Sequence, residues 1–243
     1  MEIRARTEIG LVREKNEDSV LICPKRSLLV VADGMGGHLA GEVASKIAVQ
    51  IFDRRVGVID GQVNPLTLLK EITEEANREI LGHALRHSSC QGMGTTLTAA
   101  LIYRDRVYLA HVGDSRAYLI RPGLIRRLTL DHSVVEELLR WGAISEAEAT
   151  HHPYRSVLTR ALGTEANIRI DLVEEVFLTG DYLLLCTDGL TNLVSDQEIY
   201  DIIERATSLE TALDQLVGLA LARGGHDNIT VALGQLEYRG EIS

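Results

Sequence analysis

The sequence contains few cysteines and few prolines, and it shows no sign of a linker between domains. Only three cysteines occur among its 243 residues, with no two of them in CxxC spacing: Cys23, Cys90 and Cys186. An odd number without that spacing gives no readable disulfide framework or zinc site. Prolines number only four, and no low-complexity tract or internal repeat breaks the chain. These absences predict one domain over residues 1–243.

Positive charge and long apolar runs are also scarce. The chain has 25 Lys and Arg against 35 Asp and Glu, which gives a formal net charge of −10. Nucleic-acid binding needs clustered basic side chains that displace counterions, so we expect no nucleic-acid partner. No apolar run approaches membrane-spanning length, and the first residues, MEIRARTEIG, contain no apolar signal-peptide core. We therefore expect a cytoplasmic protein without a membrane partner.

Short apolar runs of the kind that form buried strands recur along the chain. There are six: SLLVVA (27–32), TLTAALIY (96–103), RVYLAHV (106–112), RAYLI (116–120), YLLLCT (182–187) and ITVALGQL (229–236). Because short turns join several of them, neighbouring strands must pair antiparallel. Helices are predicted over residues 41–56, 64–87, from 195 onward and over 209–222, with a more polar helical insert at 131–163. The pattern predicts antiparallel sheets with helices packed on them.

A glycine cluster follows the first of these runs, in LLVVADGMGGHLAGEVASKIAV (28–49). Such a cluster fits a phosphate-binding loop, a sharp turn or a metal site. A P-loop requires Lys and then Ser or Thr after its last glycine, but Glu42 and Val43 stand there. A dinucleotide-binding fingerprint fails as well, because Leu39 replaces its third glycine. Nucleotide binding is therefore disfavoured.

Aspartates stand at the ends of four apolar runs, each beside Gly, Ser or Asn: Asp33, Asp114, Asp188 and Asp227. Any one of them could be a turn residue only, with Asp114 at the tip of a hairpin. Four carboxylates at core edges are costly without partners, however, and few Lys or Arg stand nearby. A divalent cation would neutralise several at once, and an all-oxygen set selects Mg²⁺ or Mn²⁺ over zinc. The backbone carbonyl of Gly34 could add a ligand, because glycine permits close approach.

Seven short motifs occur in order along nearly the whole chain: Gly10–Ser19, Val31–His38, Gly92–Leu97, His111–Leu119, Leu128–Ser133, Cys186–Leu190 and Gly224–Val231. Together they resemble the metal-dependent type 2C protein serine/threonine phosphatases, in their bacterial form. The resemblance implies an α+β fold, a four-layer α-β-β-α sandwich of two antiparallel sheets flanked by helices. It also implies a two-metal cleft with a small flap insert beside it, at about residues 131–163.

The resemblance assigns metal-binding roles to individual residues. Asp33 bridges both ions, and Gly34 offers its carbonyl oxygen to one of them. Asp188 and Asp227 bind the other ion. Asp114, together with Asp188, matches a third and weaker metal site of bacterial members.

Other residues are implied to act on water and substrate. Glu17 and Asp18 hold metal ions through water, and Asp18 orients the water that attacks phosphorus. Arg13 binds the phosphate, since its planar fork meets two oxygens at once. Met35 occupies the place where many eukaryotic relatives have a His that protonates the leaving alkoxide, and Met donates no proton. His38 is an alternative acid, although it could equally cap the following helix, and a water could also serve.

The implied function is hydrolysis of phosphoserine and phosphothreonine by a metal-activated water at a binuclear Mn²⁺ or Mg²⁺ centre. The expected partners are phosphorylated proteins, among them a Ser/Thr kinase and its targets, and we expect a monomer. Two other interpretations stay open. One is a catalytically weak regulatory binding module of the same fold. The other is a two-metal nuclease, which the acidic charge disfavours.

Overall fold

The structure, a computed structural model, describes residues 1–36, 40–57, 63–150 and 152–236. Its strands are β1 (Glu2–Glu8), β2 (Asp18–Cys23), β3 (Leu28–Met35), β4 (Gly94–Thr95), β5 (Leu97–Tyr103), β6 (Arg106–Val112), β7 (Arg116–Arg121), β8 (Leu124–Arg127), β9 (Asp171–Val176), β10 (Tyr182–Cys186) and β11 (Ile229–Gln235). They form two sheets, both antiparallel. The first sheet has the order β1-β11-β10-β7-β8, and the second has the order β2-β3-β5-β6-β9, with β4 paired to β3.

Helices cover the outer faces of both sheets. They are α1 (Ala40–Arg55), α2 (Pro65–Arg86), α3 (Val134–Arg140), α4 (Glu146–Thr150), α5 (Asp188–Thr191), α6 (Asp196–Arg205) and α7 (Leu209–Ala222), with short 3-10 turns at Pro24–Arg26 and Ser88–Cys90. One apolar cluster joins α1 and α2 to the second sheet, and another joins α6 and α7 to the first. A third cluster fills the space between the sheets. The predicted four-layer α-β-β-α sandwich is confirmed.

Strand β3 shows why the central runs are continuously apolar. Leu28 and Val30 belong to the cluster beneath α1 and α2, whereas Leu29 and Val31 belong to the cluster between the sheets. Successive side chains of a strand point to opposite faces. Because both faces of β3 are buried, every position requires an apolar residue.

The predicted helix starts are confirmed at two points. The side chain of Asn64 accepts a hydrogen bond from the N–H of Thr67 at 3.0 Å, and Pro65 occupies the first turn of α2. Ser195 and Glu198 form a reciprocal capping box at the start of α6. None of the helices in the described ranges is long and apolar enough to cross a membrane.

The segment 131–163, which we call the flap, is less helical than predicted. Within its described residues only α3 and α4 are helical. Gly142, which has a φ of 66°, ends the first of these helices, since a left-handed residue there breaks the helical path. Antiparallel bridges between Ser133 and Leu158 and between Thr95 and Leu162 hold the remaining backbone.

One expectation about strand ends, at Asp33, and one of the two alternatives for Asp114 are wrong. Strand β3 does not stop at Asp33 but continues to Met35, because its last two residues pair with β4. Asp114 is not the tip of a hairpin, because β6 and β7 lie in different sheets. The turn that carries Asp114 therefore takes the chain from one sheet to the other.

Candidate metal centre and active site

The second sheet sets the position of the first acidic pair. Asp18 opens β2 and stands directly opposite Asp33 of β3 in the antiparallel register. The backbone of Asp33 is held from the other side as well. Its N–H donates to the hydroxyl of Thr96 at 2.9 Å, and its carbonyl accepts from the N–H of Thr96 at 2.8 Å. These backbone contacts therefore fix the position of the Asp33 Cα, from which the side chain extends.

Acidic side chains from separate parts of the sequence line one cavity of about 310 Å³: Glu17, Asp33, Asp114, Asp188 and Asp227. Arg13 and Gly34 line the same cavity. Asp18 is not part of the lining. Its side chain is buried, and its Oδ2 accepts a hydrogen bond from the hydroxyl of Thr187 at 2.9 Å. The fold thus brings five of the predicted acidic residues to one cavity and buries Asp18 next to it, opposite Asp33.

Burial and mutual repulsion perturb these carboxyl groups. Burial raises the pKa of Asp33 well above its ordinary value, and the charges of Asp18 and Asp188 raise it further. Burial also raises the pKa of Asp18 to about 7 and that of Asp114 to about 8. A dication in the cavity would offset these effects, because a nearby positive charge favours the ionised carboxylates.

Two buried carboxylate oxygens without a hydrogen-bond partner indicate whether the site suits metal ions. Oδ1 of Asp18 and Oδ1 of Asp188 are buried and have no hydrogen-bond partner. Such atoms cost free energy unless something binds them. The all-oxygen donor set suits Mn²⁺ or Mg²⁺, so the residues fit a centre of divalent cations. In the side-chain positions that the structure gives, no group of three or more His, Cys, Asp or Glu among the described residues could hold an ion. Instead, Arg13 donates to Asp227 at 2.7 Å and Asn192 donates to Asp188 at 3.0 Å.

Glycine is required at position 34 because β3 packs closely against the start of α1. A Cβ on Gly34 would lie 2.1 Å from the carbonyl oxygen of Gly41, and one on Gly41 would lie 2.7 Å from the carbonyl carbon of Gly34. No side chain fits at such distances. Both glycines of this contact therefore serve close backbone packing beside the cavity, which is not the role of glycines in a phosphate loop.

Arg13 lies on a loop that Asn228 helps to hold in place. The Arg13 side chain is half exposed, at 51%, and its Nη2 is the donor to Oδ2 of Asp227. Asn228 Nδ2 donates to two backbone carbonyls of the segment 9–15, at 2.9 and 2.8 Å. Its Oδ1 accepts from the N–H of Glu17 at 2.8 Å. The sequence analysis missed Asn228, whose place directly after Asp227 in GGHDNITV was the available signal.

The group that would protonate the leaving alkoxide is a separate question. Met35 lines the cavity and has no proton to donate. None of the described residues that line this cavity is a His or a Lys. His38, the predicted alternative, lies outside the described residues.

A second cavity of about 520 Å³ continues from the first, between the flap and α5. The two cavities share Arg13, Asp114, Ser156, Asp188 and Asp227. Residues of α3 and α4 line this outer cavity on the flap side. A substrate whose phosphate enters the inner cavity would place its neighbouring residues in the outer one.

Known proteins share both the sequence and this architecture. The model of the family described as Protein phosphatase 2C matches residues 13–219. The serine/threonine phosphatase stp of Listeria welshimeri is 42% identical over 240 residues, which cover 96% of this chain and 95% of the relative. The crystal structure of the Mycobacterium tuberculosis serine/threonine phosphatase PstP/Ppp has a TM-score of 0.92 at 38% identity, covering 98% of this chain and 99% of that one. A structure of the PstP catalytic domain with two manganese ions has a TM-score of 0.89 at 36% identity, covering 98% of both chains.

An α-β-β-α sandwich with a carboxylate-lined cavity fits a metal-dependent hydrolase. The matches extend over nearly the whole chain and make the assignment specific. The chain belongs to the protein phosphatase 2C family.

Proposed function

We propose that this chain is a protein serine/threonine phosphatase that hydrolyses phosphoserine and phosphothreonine at a centre of two Mn²⁺ or Mg²⁺ ions. The observation that carries the proposal is one cavity lined by five acidic side chains and Arg13. Similar proteins support it, since the Listeria relative is a serine/threonine phosphatase and the PstP catalytic domain binds two manganese ions.

The lining of the cavity includes the residues that the family resemblance assigns to metal ions. Asp33 would bridge the two ions, Gly34 would offer its carbonyl oxygen to one, and Asp188 and Asp227 would hold the other. Asp114, together with Asp188, would hold a third ion. Bound there, the ions supply positive charge that lowers the pKa of water and offsets charge on the phosphate.

Glu17 and Asp18 would hold and orient water. The backbone of Glu17 is fixed by Asn228, and the side chain of Asp18 is fixed by the hydroxyl of Thr187. Glu17 lines the cavity, whereas Asp18 is buried next to Asp33 and has an unpartnered Oδ1. From these places the two carboxyl groups would position a water for attack on phosphorus, which is a positioning effect.

Arg13 would exchange Asp227 for the substrate phosphate. Its guanidinium is half exposed, and an ion pair in such a position contributes about 1 kcal/mol or less. The fork then donates to two phosphate oxygens and stabilises the charge that develops there. The same exchange frees Asp227 to hold an ion.

Turnover assays with and without metal test this function against its alternatives. We expect phosphoserine and phosphothreonine peptides to be hydrolysed with Mn²⁺ or Mg²⁺ and not in excess EDTA. Full turnover in exhaustively chelated protein would contradict the metal centre. Peptide binding without turnover in Mn²⁺ would favour the regulatory binding module, and cleavage of an oligonucleotide would favour the nuclease.

Several expectations from the sequence stay predictions. They are the single domain over residues 1–243, the cytoplasmic location, the monomeric state, the kinase partner and the role of His38 as acid.

A further inference from the structure

The outer cavity contains a positive charge that nothing in the described protein neutralises. Three arginines line it: Arg13, Arg116 and Arg155. The first pairs with Asp227, and the second holds Asp131 with an Nη2–Oδ2 distance of 2.6 Å. Arg155 is exposed and makes no side-chain hydrogen bond or ion pair with a described residue.

The carboxylates that line the outer cavity either pair with other arginines or belong to the proposed metal centre. Asp131 accepts from Arg116, and Glu136 accepts from Arg127 at 3.2 Å. The remaining lining carboxylates of the outer cavity, at positions 114, 188 and 227, belong to the proposed metal centre. With their charge offset by cations, the Arg155 guanidinium is left as an uncompensated cation facing open space. An anion is the group that such a site attracts.

The position of Arg155 relates it to the reacting phosphate. The next residue, Ser156, lines both cavities, so Arg155 directly precedes a residue in the wall of the inner one. The backbone here is held, because the N–H of Val134 donates to the carbonyl of Val157 at 2.9 Å. A peptide bound in both cavities would therefore bring residues close in sequence to the phosphorylated one near Arg155.

We propose that Arg155 binds an anionic group of the substrate, a carboxylate or a second phosphate, close in sequence to the residue that is dephosphorylated. The proposal rests on the phosphatase function proposed above and names its substrate class, namely acidic or doubly phosphorylated sites. Arginine suits both groups, since its planar fork donates to two oxygens of either.

Matched phosphopeptides test the proposal. Each contains one phosphothreonine, and a position two residues before or after it carries Glu, Gln, Lys or a second phosphothreonine. For the metal-loaded enzyme we expect kcat/KM to be roughly three- to fivefold higher with Glu than with Gln on one side, the size of an exposed ion pair. The ratio should fall at high salt, because exposed charges are screened. A larger ratio for the second phosphate than for Glu would identify phosphate as the preferred anion.

Variants assign the preference to this side chain. Arg155→Ala should bring the Glu-to-Gln ratio to about one, Arg155→Glu should favour Lys over Glu, and Arg155→Lys should retain part of the ratio. Arg140→Ala is the matched control, because Arg140 is an exposed arginine of the flap that lines neither cavity. Its ratio should equal that of the wild type.

Two results would overturn the assignment while leaving the phosphatase function intact. One is a wild-type ratio of one on both sides, and the other is an unchanged ratio in Arg155→Ala. Failure of the wild-type enzyme to hydrolyse any peptide in Mn²⁺ would overturn the proposed function itself, and the role of Arg155 with it.

Discussion

Asp18 and Asp33 are directly opposite residues of two neighbouring antiparallel strands, and Asp18 is buried whereas Asp33 is half-buried in the wall of the inner cavity. Like charges in such a pair destabilise a sheet. The pKa of each is raised, first by burial. The arrangement is tolerable when a cation lies between or beside the two groups, so the strand pairing itself argues for a metal ion at this position.

Asp33→Asn should therefore lower activity while raising the stability of the metal-stripped protein. We expect kcat to fall by roughly 100-fold or more, the size seen when one charge-stabilising group is removed. Binding of both ions should weaken, because in the proposed assignment the one charge of Asp33 serves two metals. The metal-stripped variant should melt higher than the metal-stripped wild type, since the repulsion from Asp18 is gone.

Calorimetric Mn²⁺ titration and thermal melting in EDTA measure these effects. Asp214→Asn is the control, because Asp214 is an exposed carboxylate on α7 that pairs with Arg6. Wild-type stoichiometry and affinity in Asp33→Asn would contradict the bridging role.

Arg13→Ala should weaken substrate binding and leave the metal centre in place. We expect KM for phosphopeptides to rise roughly tenfold or more, because a doubly charged phosphate loses a charge-assisted pair of hydrogen bonds. Mn²⁺ affinity should stay the same or increase, since Asp227 no longer has Arg13 as a partner. Steady-state kinetics and calorimetry give both quantities. Arg6→Ala, which removes a similarly paired arginine on β1, is the control. Lost metal binding with an unchanged KM would make Arg13 a structural residue.

The central part of the fold was predictable because its strands are buried on both faces. The six apolar runs correspond to β3, β5, β6, β7, β10 and β11. The four edge strands, β1, β2, β8 and β9, were missed. Their sequences carry charges that edges tolerate and that discourage pairing with other chains, as in EIRARTE and DLVEEV. Apolar content therefore identifies a strand only where both of its faces are buried.

The acidic residues of the site were predictable for a related reason, since an aspartate after an apolar run is conspicuous. What could not be predicted depends on tertiary structure. A three-residue turn between β6 and β7 looks the same whether it closes a hairpin or crosses between sheets. The hydrogen bonds of Asn228 to the Arg13 loop join residues more than two hundred positions apart. The burial of Asp18, beside a half-buried Glu17, likewise follows from the sheet and not from local pattern.

The buried histidine of β6 should make the protein sensitive to acid. Burial, together with repulsion from His132, whose ring centroid is 4.8 Å away, lowers the pKa of His111 to about 4, while Asp131 and Asp171 oppose the change. An unfolded His takes up its proton at about pH 6.5, whereas the folded one does so only near pH 4. Between these values the unfolded state binds the extra proton. The stability from this group is therefore present above pH 6.5 and is lost as the pH falls to 4, by on the order of 3 kcal/mol.

His111→Gln removes that titration. Gln remains neutral and can still donate to the carbonyl of Leu130, which the His111 ring contacts at 3.0 Å. We expect a lower free energy of unfolding at pH 7, because the contact with Thr98 at 3.0 Å is lost, but a shallower decline between pH 6.5 and 4. Urea unfolding at several pH values in EDTA, which removes any contribution from bound metal, measures the slope. An equally steep decline in both proteins would show that His111 does not contribute.

Asp114 is the residue for which a turn role and a metal role predict different results. Its turn is held by its neighbours: the N–H of Gly113 donates to the His132 ring at 3.1 Å, and the hydroxyls of Ser115 and Thr96 lie 2.8 Å apart. The Asp114 side chain instead faces both cavities, and burial with repulsion from Asp188 raises its pKa to about 8. A side chain in that position lowers stability unless a cation binds it.

Asp114→Ala should therefore keep or raise the melting temperature of the metal-stripped protein and leave the first two Mn²⁺ ions bound. If Asp114 holds a third ion with Asp188, kcat should fall by roughly tenfold or more at saturating Mn²⁺, as is usual when a charge-stabilising group is lost. Asp105→Ala is the control, because Asp105 lies in the turn of the true hairpin between β5 and β6. A turn role for Asp114 would instead lower stability by about 1 kcal/mol and leave kcat unchanged. Melting, Mn²⁺ titration and steady-state kinetics on the two variants distinguish these cases. A kcat near the wild-type value in Asp114→Ala would show that a third ion has no catalytic role in this enzyme.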